Sequence, residues 1–229
     1  FKTPWLAAAS TLLYVFFPTS IYYGRIMTHE PINLFFILAL FLAVILFEQQ
    51  QRPKYLIGIC AITFLGGLTD WPFFFAAAAA WLYVVLRNDY PQRRKVLVCV
   101  LIFTSASMAV TMLQIWSIAH LNPIAFIQDL YLRRSIEPLG AFLFLIFLFW
   151  RFTYDSRGFT DIGLIFAAIG IISYLRTHRE DKKKMLPAMF LVVPGFFTYL
   201  LFYPTATTHA FSGLYFVPFA ALMSAWGIS

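Results

Sequence analysis

The sequence predicts an all-α integral membrane protein, a polytopic bundle of about eight transmembrane helices with a further helix in the plane of the outer surface. Three observations predict this fold class. Hydrophobic residues make up 61% of the chain and charged residues only 12%, against roughly 25% charged residues in soluble domains. Apolar runs long enough for membrane-crossing helices recur between short polar breaks. These runs lack the alternating pattern of β-barrel strands.

Apolar runs and the prolines at their ends set the predicted spans, which form a single transmembrane domain over residues 1–229. Pro18 ends the first run, and Pro31 opens the second because proline fits the first turn of a helix. The chain starts at Phe1 with no signal peptide before the first run, so we expect it to be part of a longer protein. In chain order, the spans cover residues 4–17, 31–47, 55–68, 71–86, 96–118, 159–175, 185–203 and 212–229.

The segment 119–158 contains an apolar stretch, Leu139 to Trp150, whose status is decided by charge. Lys and Arg gather in three links, and short cytoplasmic links attract these residues. The three links share one face only if the stretch does not cross the membrane, so we predict that it lies in the membrane plane at the outer surface. The basic residues of these links are Arg52, Lys54, Arg87, Arg93–Lys95, Arg176, Arg179 and Lys182–Lys184.

With this topology the cytoplasmic side carries an excess of positive charge and the outer links are close to neutral, which together give the net charge of +7. It is therefore an orientation signal and does not indicate a nucleic-acid partner. Membrane lipids are the expected partners, and we predict a multi-pass protein of the plasma (inner) membrane. Cys60 and Cys99 fall inside apolar runs and are interpreted as buried small apolar residues, not as a disulfide framework.

The predicted outer face collects polar residues from links that lie far apart in the sequence. Its first link, PTSIYYGRIMTHEP, concentrates ionisable groups in a chain with few of them. Such residues fit a site for an anionic, lipid-linked substrate, and they also fit solvated ends of loops. The candidates are Tyr22, Arg25, His29, Glu30, Asp70, Arg133, Arg134 and His209.

The two carboxylates have both a functional and a structural interpretation. Glu30, beside His29, is a candidate general base or metal ligand, because partial burial tunes the pKa of a carboxyl group. Alternatively, it stabilises the start of the second span, where a carboxylate contributes about 0.3–1 kcal/mol. Asp70 precedes Trp71 and Pro72, and is either the N-cap of the fourth span or a second carboxylate of the site.

The basic candidates also have both a functional and a structural interpretation. Arginine suits bidentate phosphate binding, but adjacent Arg133 and Arg134 point about 100° apart on a helix. Headgroup contact is the alternative for both. His209 lies in a link without charges, where a structural histidine is the alternative to a ligand. No spacing in the chain resembles a zinc site, a glycine-rich phosphate loop or a Ser-His-Asp arrangement, so we predict no protein metal site.

The order of these features resembles the membrane core of the GT-C glycosyltransferases, and within them family 39, the protein O-mannosyltransferase and aminoarabinose transferase group. The resemblance covers most of the chain through loose motifs. They are FFPTSIYYGRIMTHEPINLFF, LGGLTDWPFFF, LRRSIEPLG with the following FLFLIFLFW and DIGLIFAAIGIISYLRTHR, and HAFSGLYFVPFAALMSAWG.

The resemblance implies transfer of a sugar from a polyprenyl-phosphate donor to an acceptor protein or lipid on the extracytoplasmic side. Glu30 matches an acidic position of such enzymes, and Arg25 matches the basic residue before it. Arginine or a divalent cation would stabilise the leaving phosphate. Two departures stand out: many relatives carry Lys where this chain has Asp70, and the family's principal acidic motif of the first outer loop has no counterpart here.

Two other function classes compete with the enzyme. Transporters place charged groups near the middle of the membrane, whereas the middle of every predicted span is free of Asp, Glu, Lys and Arg. This favours a surface site over a lipid or sugar transporter. A non-catalytic subunit of a membrane complex is the other alternative, because the principal acidic motif is missing.

Overall fold

The computed structural model describes residues 4–23, 29–118, 122, 124–126, 128–129, 160–179, 182–201 and 214–229. In these ranges the chain forms α-helices and no strand, so the predicted all-α class is confirmed. The chain divides into two compact units. The central unit is His29–Ile136, and the terminal unit combines Phe1–Thr28 with Glu137–Ser229.

Four helices build the described part of the central unit. Short links of two, four and six residues join them, and side-chain contacts pair the ends of neighbouring helices, so the chain runs up and down through the unit. The helices are α3, His29–Gln50; α4, Pro53–Gly67; α5, Pro72–Leu86; and α6, Arg93–Ile118.

Among the described residues, two helices are long and apolar enough to cross a membrane by length and composition, over Glu30–Gln50 and Arg93–Ser117. At 1.5 Å per residue, α3 is about 33 Å long and α6 about 39 Å, against about 30 Å of bilayer hydrocarbon. The 15-residue helices α4 and α5 are shorter, about 22 Å each. Their apolar sequence matches the predicted third and fourth spans.

Small residues bring the central helices close together. A Cβ atom on Gly66 would overlap the Phe73 ring of α5, and one on Gly67 would overlap the Ser107 side chain of α6. On α5, the run of alanines packs closely on its neighbours, because Ala76, Ala77, Ala79 and Ala80 are buried and small residues permit close approach. These contacts order the end of α4 against both neighbouring helices.

The described helices of the terminal unit include one that the sequence did not predict. Pro18 follows α1 and opens a new short helix, α2, because proline fits a first helical turn. The backbone N of Phe17 donates to Leu13 O at 2.9 Å, so α2 follows with a minimal break. The bounds are α1, Pro4–Phe16; α2, Pro18–Tyr23; α7, Asp161–Thr177; α8, Lys182–Leu201; and α9, Val217–Ile228.

Close packing of α7 on α9 depends on glycine. A Cβ atom on Gly170 would overlap the Met223 carbonyl oxygen, and one on Gly227 would overlap the Phe166 carbonyl oxygen. The Ser224 hydroxyl donates to Gly163 O at 2.8 Å. Backbone-to-backbone contact of this kind is typical of helix pairs in membranes, where small residues permit close approach.

The described helices do not test the predicted number of membrane crossings or the predicted in-plane segment. The helices occupy the eight predicted spans, and α9 begins at Val217 rather than at residue 212. Whether eight segments cross a membrane as one domain stays a prediction. The predicted in-plane stretch, Leu139 to Trp150, lies outside the described residues.

Candidate functional site

One end of the central unit carries the two predicted carboxylates. Glu30 lies in the first turn of α3 and is only 4% exposed, and Asn33, three residues further on, is fully buried. Residues three apart lie on the same side of a helix. A carboxylate in this position is stabilised by the partial positive charge at the start of α3.

The turn between α4 and α5 meets this side of α3. The Thr69 hydroxyl oxygen lies 2.6 Å from Gly66 O and 3.2 Å from Asn33 Oδ1. Because a hydroxyl carries a single proton, the contact with Asn33 is the weaker of the two. It nevertheless joins α3 to the turn that carries Asp70. We call Glu30, Asn33, Thr69 and Asp70 the acidic end.

Asp70 begins the approach to α5 but is not its N-cap. The helix starts at Pro72 and its N-cap is Trp71, one residue later than the cap interpretation predicted. The Asp70 Oδ1 atom accepts a hydrogen bond from the Trp71 backbone N at 2.8 Å. Asp70 therefore shapes the turn before the helix, and it is partly exposed at the same end as Glu30.

The other predicted site residues are not brought together by the described part of the chain. Tyr22 lies in α2 of the terminal unit and is 62% exposed. His29 opens α3, but its side chain is outside the described set. Their convergence with the acidic end stays a prediction. The predictions for Arg25, Arg133, Arg134 and His209 fall outside the described residues.

Sequence reasoning missed Asn33 and Thr69 as members of this end. A signal was present for Asn33, because it is the only polar side chain between Pro31 and Phe47. Burying an amide in apolar surroundings is unfavourable unless the amide is hydrogen-bonded, so a partner was to be expected. Thr69 carried no signal of its own, because its role depends on packing across 36 residues of sequence.

The opposite end of the central unit holds a second polar cluster that the sequence did not indicate. Glu48 of α3 forms an ion pair with Arg87, which follows α5. The Tyr83 hydroxyl donates to Glu48 Oε2 at 2.5 Å, and the Tyr90 hydroxyl donates to Val44 O at 2.7 Å. These contacts attach the last turn of α3 to the link between α5 and α6.

Tyr90 is 4% exposed, and its ring stacks on Phe47 with centroids 6.4 Å apart. Burial raises the pKa of Tyr90, and the nearby Glu48 charge raises it further. The phenol is therefore held in its neutral form as a hydrogen-bond donor, which matches its bond to the backbone of α3.

Charge separates the two ends of the central unit. We call the end with Glu48 the basic end, because six Lys and Arg residues lie there against two carboxylates, Glu48 and Asp89. The acidic end as defined above contains two charged groups, Glu30 and Asp70. The basic residues are Arg52, Lys54, Arg87 and Arg93–Lys95.

The acidic end supplies acceptors for protons and cations. The acidic end contains a buried carboxylate and a partly exposed one, and such groups are suited to accept a proton from a hydroxyl or amine. Among the described residues, no group of three or more His, Cys, Asp and Glu side chains is arranged to hold a metal ion.

Comparison with known proteins does not identify the chain. No protein-family model, no curated protein and no solved structure matches it. The function therefore has to be argued from the acidic end itself.

Proposed function

We propose that this chain is a multi-pass membrane glycosyltransferase of the GT-C type. It moves a sugar from a polyprenyl-phosphate donor to an acceptor protein or lipid on the extracytoplasmic side. The observation that carries the proposal is Glu30, a carboxylate only 4% exposed at the start of an apolar helix, with Asp70 at the same end of the unit. A carboxylate of this kind is the proton acceptor that the transfer needs.

Charge separation supports the orientation. Short cytoplasmic links are enriched in Lys and Arg, so the basic end of the central unit faces the cytoplasm and the acidic end faces outwards. A polyprenyl-phosphate sugar presented in the outer leaflet then meets Glu30 and Asp70 at the membrane surface. We assign this membrane to the plasma (inner) membrane.

Exposed apolar side chains support membrane insertion of the long helix α6 and of the shorter helix α4. On α6, Leu101 is 60% exposed and Ile102 55% exposed, and on α4 Ile57 is 67% exposed. Large contiguous apolar surfaces are rare on soluble monomers. Lipid chains would cover these faces in a protein that spans the membrane several times.

The proposed chemistry is a displacement at the anomeric carbon of the sugar. Glu30 accepts the proton of the acceptor hydroxyl or amine while the acceptor atom attacks that carbon. The bond from the carbon to the lipid phosphate breaks, and the phosphate leaves with the electron pair. The leaving phosphate is proposed to be bound by Arg25, Arg133 and Arg134. The substrate is proposed to be bound also by His29, Tyr22 and His209.

A substitution pair tests the role of Glu30. Glu30→Gln removes the proton acceptor and preserves the shape, so we expect sugar transfer to fall at least a hundredfold, within the range of general-base contributions of about 10²–10⁴. The matched control is Asp161→Asn, an exposed carboxylate in the first turn of α7, which should retain transfer. Undiminished transfer by Glu30→Gln would remove Glu30 from the mechanism.

Thiol labelling tests the orientation. Arg157→Cys and Lys183→Cys, made in a chain without its two native cysteines, lie on opposite faces in the proposed topology. An impermeant maleimide added to sealed, right-side-out vesicles should label the first and not the second. Labelling of both or neither would contradict the topology. A chelator added to the transfer assay tests which group binds the phosphate. Loss of transfer would indicate a divalent cation, and unchanged transfer would indicate arginine.

The alternative of a non-catalytic membrane subunit has one favouring observation. The Asp70 carboxylate is engaged by the Trp71 backbone N, which is a structural task at a helix start. In that case Glu30→Gln and Asp70→Asn would lower the stability of the central unit, and the wild-type protein would transfer no sugar.

A further inference from the structure

The two cysteines of the chain lie on different helices of the central unit and face each other. Cys60 is in α4 and Cys99 is in α6. Both are free thiols of intermediate exposure, and the Cys60 side chain interacts with that of Cys99. They are therefore not the separate, buried apolar residues that the sequence indicated.

The two cysteines also lie at matching depths along their helices. Both helices start at the basic end, and Cys60 lies seven residues into α4 while Cys99 lies six residues into α6. At 1.5 Å per residue, the thiols are about 10 Å and about 9 Å along their helices. Two turns later, Gly67 packs directly on Ser107, as expected for parallel neighbours in this register.

We propose that Cys60 and Cys99 are a redox site, a pair of thiols that lipid-soluble oxidants convert reversibly into a disulfide linking α4 to α6. Both thiols are partly exposed on helices made mostly of apolar residues, so the oxidant that reaches them is of the class that partitions into the membrane. An organic or lipid hydroperoxide is such an oxidant.

The reaction with a hydroperoxide balances in two steps. The sulfur of one cysteine attacks the peroxide oxygen, the O–O bond breaks, and the products are a sulfenic acid and an alcohol. The sulfur of the other cysteine then attacks the sulfenic sulfur, the S–S bond forms, and water leaves. The two thiols supply two electrons, and their hydrogens end in the alcohol and the water.

The link would join α4 to α6 below the contact of Gly67 with Ser107. Two residues after Gly67, Thr69 contacts Asn33 of the acidic end. Oxidation would therefore restrict the movement of the helix that leads to Asp70. The redox reaction itself does not depend on the proposed sugar transfer and is tested without it.

The full chain in its membranes is treated with cumene hydroperoxide, denatured, alkylated and digested with trypsin. No Lys or Arg lies between Tyr55 and Arg87, nor between Val96 and Tyr131, so each cysteine leaves on its own peptide. Mass spectrometry without reducing agent should show these peptides joined, and dithiothreitol should separate them. The water-soluble oxidant tetrathionate should give at least tenfold less of the joined pair.

The matched control moves one thiol by one residue. The double variant Val98→Cys, Cys99→Ser places it about 100° around α6, at a position where Val98 is 52% exposed. We expect at least tenfold less of the joined peptides than in the wild type. Equal joining in the two proteins would overturn the proposal, as would a sulfenic acid trapped by dimedone without any joined peptides, or a link that joins two copies of the chain.

Discussion

Two identical substitutions on α4 should change stability in opposite directions. A Cβ atom on Gly58 meets nothing within 4 Å, whereas a Cβ atom on Gly67 would lie 2.7 Å from Ser107 Cβ and overlap its hydroxyl. The Cβ of Ser107 is fixed to the backbone of α6, so no side-chain rotation removes that contact. Only Gly67→Ala therefore forces the helices apart.

The magnitudes follow from helix propensity and packing. Gly58→Ala should raise the free energy of unfolding by up to about 1 kcal/mol. Gly67→Ala gains less from propensity, since Gly67 is the last residue of α4, and overpacking costs about 1–3 kcal/mol. Because the atom it meets is rigid, we expect a net loss of about 1–2 kcal/mol.

A double variant isolates the contact. Ser107→Gly removes the obstructing side chain, and with it the hydroxyl bond to Thr104 O of 2.8 Å, so it is destabilising on its own. In that background Gly67→Ala should cost nothing, which gives a coupling energy of about 1–2 kcal/mol between the two sites.

Reversible unfolding in mixed detergent micelles, followed by circular dichroism, measures the wild type and the four variants. Loss of stability in Gly67→Ala that persists unchanged in the Ser107→Gly background would refute the packing of α4 on α6. A stabilising effect of Gly67→Ala would refute it equally.

The basic end supports two further predictions. Glu48→Gln should lower the free energy of unfolding by about 2–3 kcal/mol. This is less than the 3–5 kcal/mol of a fully buried pair, because the Arg87 and Glu48 side chains are still 20% and 15% exposed. As a control, Gln49→Ala at the exposed neighbouring position should change the free energy of unfolding by less than about 0.5 kcal/mol, and equal effects of the two substitutions would contradict the ion pair. Tyr90→Phe removes a buried hydrogen bond worth about 0.5–1.5 kcal/mol. The raised pKa of Tyr90 also means that its contribution is complete below the ordinary tyrosine pKa of about 10 and is lost as pH rises further. Unfolding measured from pH 8 to pH 11 should therefore show a steeper alkaline loss in the wild type than in Tyr90→Phe, and parallel profiles would contradict the burial of Tyr90.

Local sequence signals predicted the helices well because most of the described helices coincide with an apolar run of the sequence. Apolar runs located the described helices α1 and α3–α9. The rule that proline fits a first helical turn was applied to Pro31, and Pro53 and Pro72 also open α4 and α5, against predicted span starts at residues 55 and 71. The same rule was misapplied at Pro18, which was interpreted as the end of a helix. It instead opens α2, because a proline after a helix also fits the first turn of the next one.

The candidate site was predictable only in part. Glu30 and Asp70 stood out as isolated carboxylates at the ends of apolar runs, and topology alone placed them at one end. The contact of Asn33 with Thr69 and the pairing of Glu48 with Arg87 were not predictable, because they join residues 36 and 39 positions apart. Such pairs depend on the rotation of each helix about its axis, which packing decides and composition does not.

The sequence also did not predict that Cys60 and Cys99 are neighbours, because helix packing decides which residues of two helices meet. Each cysteine alone reads as a small apolar residue of a membrane helix. Only the parallel register of α4 and α6 brings the two thiols to the same depth, and that register depends on Gly67 accepting Ser107.

Release of polyprenyl phosphate from polyprenyl-phosphate sugars tests the proposed function most directly. The purified chain, in micelles or reconstituted vesicles, is incubated with hexose and pentose donors and with extracted acceptor protein or lipid, and the released lipid phosphate is measured. We expect release from at least one donor by the wild type and at least a hundredfold less by Glu30→Gln. No release from any donor, or equal release by both proteins, would contradict a sugar-transfer site at Glu30.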